Sequence, residues 1–373
     1  MEAPKEATTV AVKEEEEERA TTETQGEEAA EGGLTPAQRR QFEEEGWLVI
    51  PNVLSPEQCE RTIQQLADFL AAKCDVHILD PNQRESWNKW PLSKMGFSDC
   101  YSLPAMWENR QNPLLHSIFS TLLGTDELWV SIDRMGSKRP GIVYDEGGNP
   151  LDMSEWHRDA LVHTDCNLWY PPRKLEIQGL VALNDTDPGQ GGFACIPGFH
   201  KEHWEWTRAH PEWKVTNPKR MFNPFPDKQM IQDRLKHIPM KAGDLLIWDN
   251  LLPHTNTRNT TDKWRFCQYI RMVRAEPANE RFRRFAAEAY LHGRRPLEFS
   301  TGGRVPQDYC TIEQEGYPQP PALTELGERL VGLKPWREGE ETEEGTNGGD
   351  ERQRKKAAKG KRGGRNRRLG QGK

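Results

Sequence analysis

Residues 175–184 read LEIQGLVALN, and the alternation within this stretch decides the fold class. Its odd-numbered residues are apolar apart from Gly179, whereas Glu176, Gln178 and Asn184 are polar. Successive side chains of a strand point to opposite faces of the sheet. The stretch therefore predicts a half-buried antiparallel strand.

Similar short apolar runs flank this stretch, and Pro, Gly and Asp residues separate them. They occupy residues 128–135, 193–196, 243–248 and 264–273. Runs of this length between turn-forming residues are typical of strands. The second half of the chain is thus predicted to be a β structure.

The first half of the chain carries helix signals instead. Thr35 and Ser55 each precede a Pro and stand three residues before a Gln, which is the pattern of a capping box at a helix start. A third helix is expected over residues 112–124, with its Leu and Ile residues turned inward, and residues 47–50 form a short apolar strand. Because helices precede strands without βαβ alternation, we predict an α+β, mainly β fold. Its core is a double-stranded β-helix, a jelly-roll or cupin-like barrel, with the N-terminal helices packed on one sheet.

Charge divides the chain into three parts. Residues 1–33 carry eleven Glu against three basic residues, residues 337–351 carry seven acids against one Arg, and residues 352–373 carry eleven basic residues and no acid. All thirteen Trp residues lie between these tails. Segments without apolar surface cannot offset the entropy cost of ordering. We therefore predict a folded domain over residues 34–336, a disordered acidic tail over 1–33 and a disordered acidic-then-basic tail over 337–373.

Several protein classes are excluded by composition. The sequence contains no apolar run of eighteen residues, which a membrane-spanning helix needs. The acidic start is unlike a secretory or mitochondrial presequence. The seven Cys residues include no CxxC pair, which indicates a reduced intracellular protein. We expect a cytoplasmic protein, with nuclear import as an alternative because of the basic tail.

The stretch WHRDALVHTDCNLW, residues 156–169, contains two His-x-Asp pairs, His157/Asp159 and His163/Asp165. On a strand, residues two apart lie on the same side, so each pair would place an imidazole beside a carboxylate. These are two ligands of the facial triad that holds non-haem iron(II). A single pair is a weak signal, since a surface ion pair has the same pattern.

A third ligand is expected from a later strand of the same barrel. His254 is the best candidate, because it follows the apolar run 245–248. Eleven residues later, Arg265 begins another strand, where it shares a face with Cys267 and Tyr269. An inward guanidinium needs a carboxylate partner, and a dicarboxylate cosubstrate would supply one.

Together these motifs resemble the phytanoyl-CoA dioxygenase family of iron(II)- and 2-oxoglutarate-dependent oxygenases. The resemblance extends over most of residues 35–275 and keeps the motif order. Its segments are TPAQ at 35–38 with Phe42, GWLVIP at 46–51, VLS at 53–55, HTD at 163–165, QGLVALNDT at 178–186, GGF at 191–193, IPGFHK at 196–201, GDLLIW at 243–248, PH at 253–254 and Arg265.

The resemblance implies that iron(II) is held by His163, Asp165 and His254. It also implies that Arg265 binds the distal carboxylate of 2-oxoglutarate, and that dioxygen is consumed while succinate and carbon dioxide are released. We favour His163/Asp165 over His157/Asp159, because the distance to the strand at 175 is like that in the family. Halogenating relatives have a small residue where this chain has Asp165, so hydroxylation is expected.

Other polar residues have two readings each. Asn256 is assigned to cosubstrate binding, and a turn cap is the alternative. Arg258 is an alternative anchor to Arg265, but its polar surroundings predict exposure. Lys138 is expected to be solvated on the surface rather than to touch cosubstrate. His200, His203 and His210 are interpreted as loop or lid residues, and Trp169, Trp204 and Trp206 as packing residues or as the lining of a substrate pocket.

The sequence leaves the substrate open. We expect a small organic molecule, no membrane partner and an undetermined oligomeric state. The basic residues of 352–373 predict at most a non-specific nucleic-acid contact through phosphates. The alternatives are a catalytically silent jelly-roll binding module, or a dioxygenase acting on a protein or RNA that the basic tail recruits.

Overall fold

A computed structural model describes residues 33–89, 94–98, 100–158, 161–292 and 321–337 of the chain. Nearly all of both predicted tails lies outside these residues, so their disorder stays a prediction. The chain divides into two units, Met1–Leu333 and Lys334–Lys373. The described residues of the second unit, 334–337, contain neither helix nor strand.

The described residues of the first unit form eight α-helices. Their bounds are α1 Pro36–Glu45, α2 Pro56–Cys74, α3 Pro104–Arg110, α4 Pro113–Leu123, α5 Phe199–Ala209, α6 Lys228–Arg234, α7 Glu280–His292 and α8 Glu325–Val331. Both predicted capping boxes are confirmed: Thr35 and Gln38 exchange hydrogen bonds at the start of α1, and Ser55 does the same with Gln58 at the start of α2. The third predicted helix is confirmed as α4, between its cap Asn112 and Gly124.

Fifteen strands accompany these helices in the described residues. Their bounds are β1 Trp47–Ile50, β2 Phe97–Ser98, β3 Leu128–Val130, β4 Met135–Lys138, β5 Ile142–Tyr144, β6 Pro150–Asp152, β7 His163–Thr164, β8 Ile177–Ala182, β9 Phe193–Cys195, β10 Asn223–Pro224, β11 Lys236–His237, β12 Leu245–Asp249, β13 His254–Asn256, β14 Arg265–Tyr269 and β15 Met272–Arg274.

Two larger sheets organise these strands. The first has six strands in the order β1-β12-β8-β14-β4-β2, and the second has five in the order β10-β7-β13-β9-β11. Every pair in both sheets is antiparallel. Mainly antiparallel β structure with helices is thus confirmed.

The outer face of the six-stranded sheet is covered by α2, α3 and α4. The Sγ atom of Cys59 on α2 lies 3.9 Å from the carbonyl of Ala182 on β8. Asn109 on α3 donates a 2.9 Å hydrogen bond to Gln268 on β14. The N-terminal helices therefore pack on one sheet, as the sequence predicted.

The inner face of the same sheet meets the five-stranded sheet in an apolar core. Leu180, Trp248 and Cys267 of the first sheet share this core with Phe193 and Cys195 of the second. Strand β8 is consequently buried on both faces, with only Gln178 partly exposed. The prediction of a half-buried strand was wrong, because the face of Gln178, which was expected to meet solvent, packs against the five-stranded sheet through Leu180 and Ala182.

Two further expectations are corrected. The run 128–135 is not one strand, because β3 pairs with β15 whereas β4 pairs with β14. In α4, Leu114 is 40% exposed rather than inward, and Leu115, Ile118 and Phe119 form the buried face. Among the described residues, none of the helices combines the length and apolarity that crossing a membrane requires.

Candidate metal centre

The five-stranded sheet brings two histidines together. His163 begins β7 and His254 begins β13, and the two residues are direct partners in the antiparallel register. Their ring centroids are 4.5 Å apart. Asp165 follows β7, and its two carboxylate oxygens lie 3.6 Å from Nε2 of His163 and 3.5 Å from Nε2 of His254. The three residues offer ligand atoms that all lie within 4.8 Å of one another.

Backbone carbonyls decide which nitrogen of each imidazole faces this point. Nδ1 of His163 lies 2.8 Å from the carbonyl oxygen of Leu161, and Nδ1 of His254 lies 2.9 Å from that of Leu252. A carbonyl oxygen only accepts hydrogen bonds, so each Nδ1 donates and each Nε2 presents a lone pair. Two imidazole lone pairs and one carboxylate therefore converge, an arrangement that a shared cation stabilises.

Electrostatics keep His163 and Asp165 in the forms that bind a metal. Burial, together with the neighbouring His254, lowers the pKa of His163 to about 4, so its imidazole is neutral near pH 7. Burial alone would raise the pKa of Asp165, but the adjacent imidazoles of His254 and His163, together with the amide of Gln178, hold that pKa below its ordinary value. Two imidazoles and one carboxylate form the ligand set of the facial triad.

The three candidate ligands differ in their exposure to solvent. His254 has 6% of its side chain exposed, whereas Asp165 has 31%. The ring of Phe222 lies 4.6 Å from that of His163 and remains 45% exposed. An exposed aromatic ring thus lies beside one of the candidate ligands.

Arg265 lies deep between the sheets, on β14. It is 1% exposed, and its Nε and Nη2 atoms have no hydrogen-bond acceptor among the described residues. A buried guanidinium without a carboxylate is costly. An anionic ligand beside Arg265 would supply the missing acceptors.

Asn256 lies on β13 two residues after His254, so both side chains point to the same side of the strand. Its amide donates a 3.1 Å hydrogen bond to the hydroxyl of Tyr269, which shares a strand face with Arg265. Its Oδ1 atom is buried and has no partner in the described part of the chain. Asn256 therefore sits in a strand and does not cap a turn.

Lys138 corrects an expectation from the sequence. It is 3% exposed rather than solvated, and it is the direct cross-strand partner of Arg265. Its Nζ atom donates to the carbonyl of Thr257. Burial, then the charge of Arg265, lowers the pKa of Lys138 to about 7. Two cationic side chains thus lie beside one another in the interior.

The competing His-x-Asp pair lies elsewhere. His157 is buried, and its Nε2 atom lies 3.2 Å from the carbonyl oxygen of Pro140. It is not part of the cluster of His163, Asp165 and His254. Asp159 lies outside the described residues. His200 and His203, interpreted from sequence as loop residues, are in the helix α5.

Some contacts of the site could not be read from the sequence. Gln178 on β8 donates a 2.8 Å hydrogen bond to Asp165, and the carbonyls of Leu161 and Leu252 orient the histidines. In both ligands, the carbonyl belongs to the residue two positions before the histidine. The sequence does not reveal this contact, because it depends on how each imidazole is turned.

Comparison with known proteins decides the family. The family model described as Phytanoyl-CoA dioxygenase (PhyH) matches residues 42–267, which is more than half of the chain. The chain belongs to the phytanoyl-CoA dioxygenase family. It is accordingly an enzyme, a 2-oxoglutarate-dependent dioxygenase, as the sequence resemblance implied.

Relatives of this dioxygenase are distant in sequence. A Dictyostelium discoideum protein, assigned by name to the phytanoyl-CoA dioxygenases, is 28% identical over 279 residues, 64% of this chain and 75% of that protein. Ava biosynthesis cluster protein O of Aspergillus versicolor is 23% identical over 274 residues, 68% of this chain and 83% of its own length.

Solved structures share the fold of this dioxygenase at low identity. GlcNAc Inducible Gene 2 of Candida albicans matches with a TM-score of 0.60 and 16% identity, over 88% of this chain and 82% of that one. A hypothetical protein of Escherichia coli matches with a TM-score of 0.58 and 17% identity, over 87% of this chain and 91% of its own. Both likenesses concern the fold alone.

Proposed function

We propose that this dioxygenase hydroxylates a small organic substrate at an iron(II) ion held by His163, Asp165 and His254. The observation that carries the proposal is the convergence of two imidazole nitrogens and one carboxylate, whose ligand atoms all lie within 4.8 Å of one another. Two His and one carboxylate are the ligands of non-haem iron(II) oxygenases, and they leave positions open for cosubstrate and dioxygen.

Bound iron(II) and 2-oxoglutarate would supply the oxidising chemistry, in which dioxygen is consumed, 2-oxoglutarate yields succinate and carbon dioxide, and the substrate gains a hydroxyl group. The protein's own contribution is orientation. The carbonyls of Leu161 and Leu252 hold the two imidazoles with Nε2 inward. The apolar core, whose Phe193 and Trp248 rings lie beside His254, would keep water away from that ligand.

Arg265 is proposed to bind the distal carboxylate of 2-oxoglutarate, and Asn256 to assist. The support is that Asn256 follows His254 by two residues on β13 and bonds Tyr269, which shares a strand face with Arg265, and that Nε and Nη2 of Arg265 and Oδ1 of Asn256 are buried without partners among the described residues. A planar guanidinium fits a carboxylate through two parallel hydrogen bonds. Cosubstrate binding would thus satisfy groups that are costly to bury alone.

The two larger sheets are proposed to be the halves of a double-stranded β-helix. Their all-antiparallel pairing and the apolar core between them support this reading. In this arrangement, the ligands stand on the smaller sheet and Arg265 on the larger one. The cosubstrate would lie between the two sheets.

The proposal is tested by loading the full chain with iron(II), adding 2-oxoglutarate and a metabolite extract, and searching by mass spectrometry for a compound that gains one oxygen atom. Succinate formation is measured in parallel. We expect His163→Ala, Asp165→Ala and His254→Ala each to abolish succinate formation. We expect Arg265→Ala to raise the 2-oxoglutarate concentration for half-maximal turnover by at least about tenfold, because a buried charge loses its partner.

Calorimetry provides the deciding control. If the wild-type chain binds neither iron(II) nor 2-oxoglutarate, the protein is a silent jelly-roll module and the proposal is wrong. If it binds both and the mass of no small molecule changes, a protein or RNA substrate becomes the better reading.

A further inference from the structure

We propose that a chain of side-chain hydrogen bonds behind the metal centre positions the carboxylate of Asp165, and that Gln178 and Asn250 are its positioning residues. We call it the Gln178 relay; it consists of Asp165, Gln178, Asn250, Glu176 and Arg271. The inference rests on the proposed function, because it assumes that Asp165 is a metal ligand.

Every link of the relay has ordinary hydrogen-bond length. The Nε2 atom of Gln178 lies 2.8 Å from Oδ2 of Asp165 and 2.8 Å from Oδ1 of Asn250. The Nδ2 atom of Asn250 donates to Oε2 of Glu176 at 2.9 Å. Arg271 donates from Nη2 to the same oxygen at 3.0 Å. An uninterrupted path thus joins the metal-ligand carboxylate to an ion pair.

The carboxylate at each end determines how both amides are turned. Glu176 forms an ion pair with Arg271, and a carboxylate in an ion pair only accepts hydrogen bonds. Asn250 must therefore present its NH2 group to Glu176 and its oxygen to Gln178. Gln178 must then present its NH2 group, whose two hydrogens go to Asn250 and Asp165. If Gln178 were turned over, its oxygen would face the carboxylate of Asp165 and repel it.

Backbone contacts anchor the middle of the relay. Asn250 is 0% exposed, and its backbone N–H donates to the carbonyl of Glu176 at 3.0 Å. The thiol of Cys166, the residue after Asp165, lies 3.3 Å from the carbonyl oxygen of Asn250. Gln178 itself belongs to β8, the third strand of the six-stranded sheet. The relay therefore ties a residue that follows the two-residue strand β7 to the six-stranded sheet.

The relay restrains the orientation of the Asp165 carboxylate. Asp165 lies beyond the end of β7, and its side chain is 31% exposed, so packing alone does not fix it. A hydrogen bond from Gln178 to Oδ2 holds the carboxylate plane with one oxygen toward each histidine. Loss of a hydrogen bond to a metal ligand, from a residue that does not itself touch the metal, typically lowers metal affinity by about 10- to 100-fold.

The test measures Mn(II) binding to the metal-free full chain, with free Mn(II) quantified by electron paramagnetic resonance. Gln178→Leu removes both donors and should weaken Mn(II) binding by about tenfold or more. Asn250→Leu does not touch Asp165 but releases Gln178, and should weaken binding severalfold. In the Gln178→Leu background, Asn250→Leu should have no further effect, because residues of one network are not additive.

Asn109→Leu is the matched control. Asn109 is also buried, and it also donates to a glutamine of the six-stranded sheet, Gln268, but on the opposite face. It should lower the melting temperature and leave Mn(II) affinity unchanged.

The relay is ruled out if Gln178→Leu and Asn250→Leu bind Mn(II) as tightly as the wild type, if their effects add, or if Asn109→Leu weakens binding equally. Should Gln178→Leu fail to fold, Gln178→Met and Asn250→Leu serve in its place. A wild-type chain that binds no Mn(II) contradicts the proposed metal centre itself, which is a distinguishable result.

Discussion

At the scale of single residues, hydrogen-bond chemistry selects the candidate ligands. His163 and His254 each give their Nδ1 hydrogen to a carbonyl, which leaves Nε2 free to bind a cation. His157 instead directs Nε2 at the carbonyl of Pro140 and lies outside the cluster. The same side chain thus has different chemistry at the two positions.

This difference makes His157→Ala a sharp comparison for His163→Ala. We expect His157→Ala to keep iron(II)-dependent succinate formation within about threefold, once any loss of stability is allowed for, whereas His163→Ala loses it. The assay is succinate formation at saturating iron(II), with circular dichroism to confirm folding. Full activity of His163→Ala together with loss in His157→Ala would show that the other His-x-Asp pair holds the metal.

The lowered pKa of Lys138 predicts that the affinity for 2-oxoglutarate depends on pH. Its pKa in the ligand-free protein is about 7, because it is buried and lies beside Arg265, and the thiol of Cys267 is its other ionisable neighbour. A bound dicarboxylate would raise that pKa, since it places negative charge nearby. Binding at pH 8 should therefore take up protons, and affinity for 2-oxoglutarate should fall between about pH 7 and 9.

Calorimetry in two buffers of different ionisation enthalpy measures this proton uptake, and Lys138→Met should remove it. The lowered pKa of Lys138 also determines how the stability of the ligand-free protein changes with pH. The unfolded chain binds more protons than the folded one between the lowered pKa and the ordinary lysine value, so the ligand-free protein should become more stable as pH rises through that range. Proton release on binding would contradict the assignment.

At the scale of elements, short strands carry the chemistry and long helices support them. Strand β7 has two residues and β13 has three, yet both present a histidine to the same point. The six-stranded sheet behind them is covered by α2, whose buried residues include Leu66 and Leu70. The start of α2 is fixed by the reciprocal bonds of Ser55 and Gln58.

Loss of this cap should destabilise the protein measurably. We expect Ser55→Ala to lower the free energy of unfolding by about 1 kcal/mol, because the N–H of Gln58 loses its acceptor. Ser55→Asp, which keeps an acceptor at the cap, is the matched control and should stay near the wild type. Urea unfolding followed by circular dichroism gives both values, and an equal loss in the two variants would argue against the cap.

At the scale of the whole molecule, the candidate site belongs to the unit Met1–Leu333. All three proposed ligands and Arg265 lie between residues 163 and 265, within the family match at 42–267. The strongly charged segments lie at the two ends of the chain. We therefore expect the charged ends to be dispensable for building the site.

Residues 34–336 alone should thus carry the metal chemistry. We expect a chain of these residues to bind Mn(II) and to form succinate at rates within about twofold of the full chain. A separate deletion of residues 352–373 should abolish any salt-sensitive binding to DNA, because such binding works through phosphates. If succinate formation is lost with this deletion, the basic tail takes part in catalysis or in recruiting the substrate.

The sequence by itself determined the local structure and the family of this dioxygenase. The capping boxes at Thr35 and Ser55, the helix at residues 113–123 and the principal strands follow from patterns within a few residues of the chain. The ordered motifs from residue 35 to Arg265 likewise pointed to the family that the comparison shows. Such patterns are local, so they can be recognised without knowing how the helices and sheets pack.

Only the tertiary structure decided what depends on contacts between distant residues. Strand β8 was expected to be half-buried, but packed elements cover both of its faces. Lys138 was expected at the surface, but it is buried. Alternation and charge in a sequence do not show which other elements pack on a residue. The Gln178 relay joins residues from 165 to 271, and no spacing rule connects them. Burial and long-range hydrogen bonds arise when sheets pack, and this packing places Arg265 and the candidate ligands in one interior.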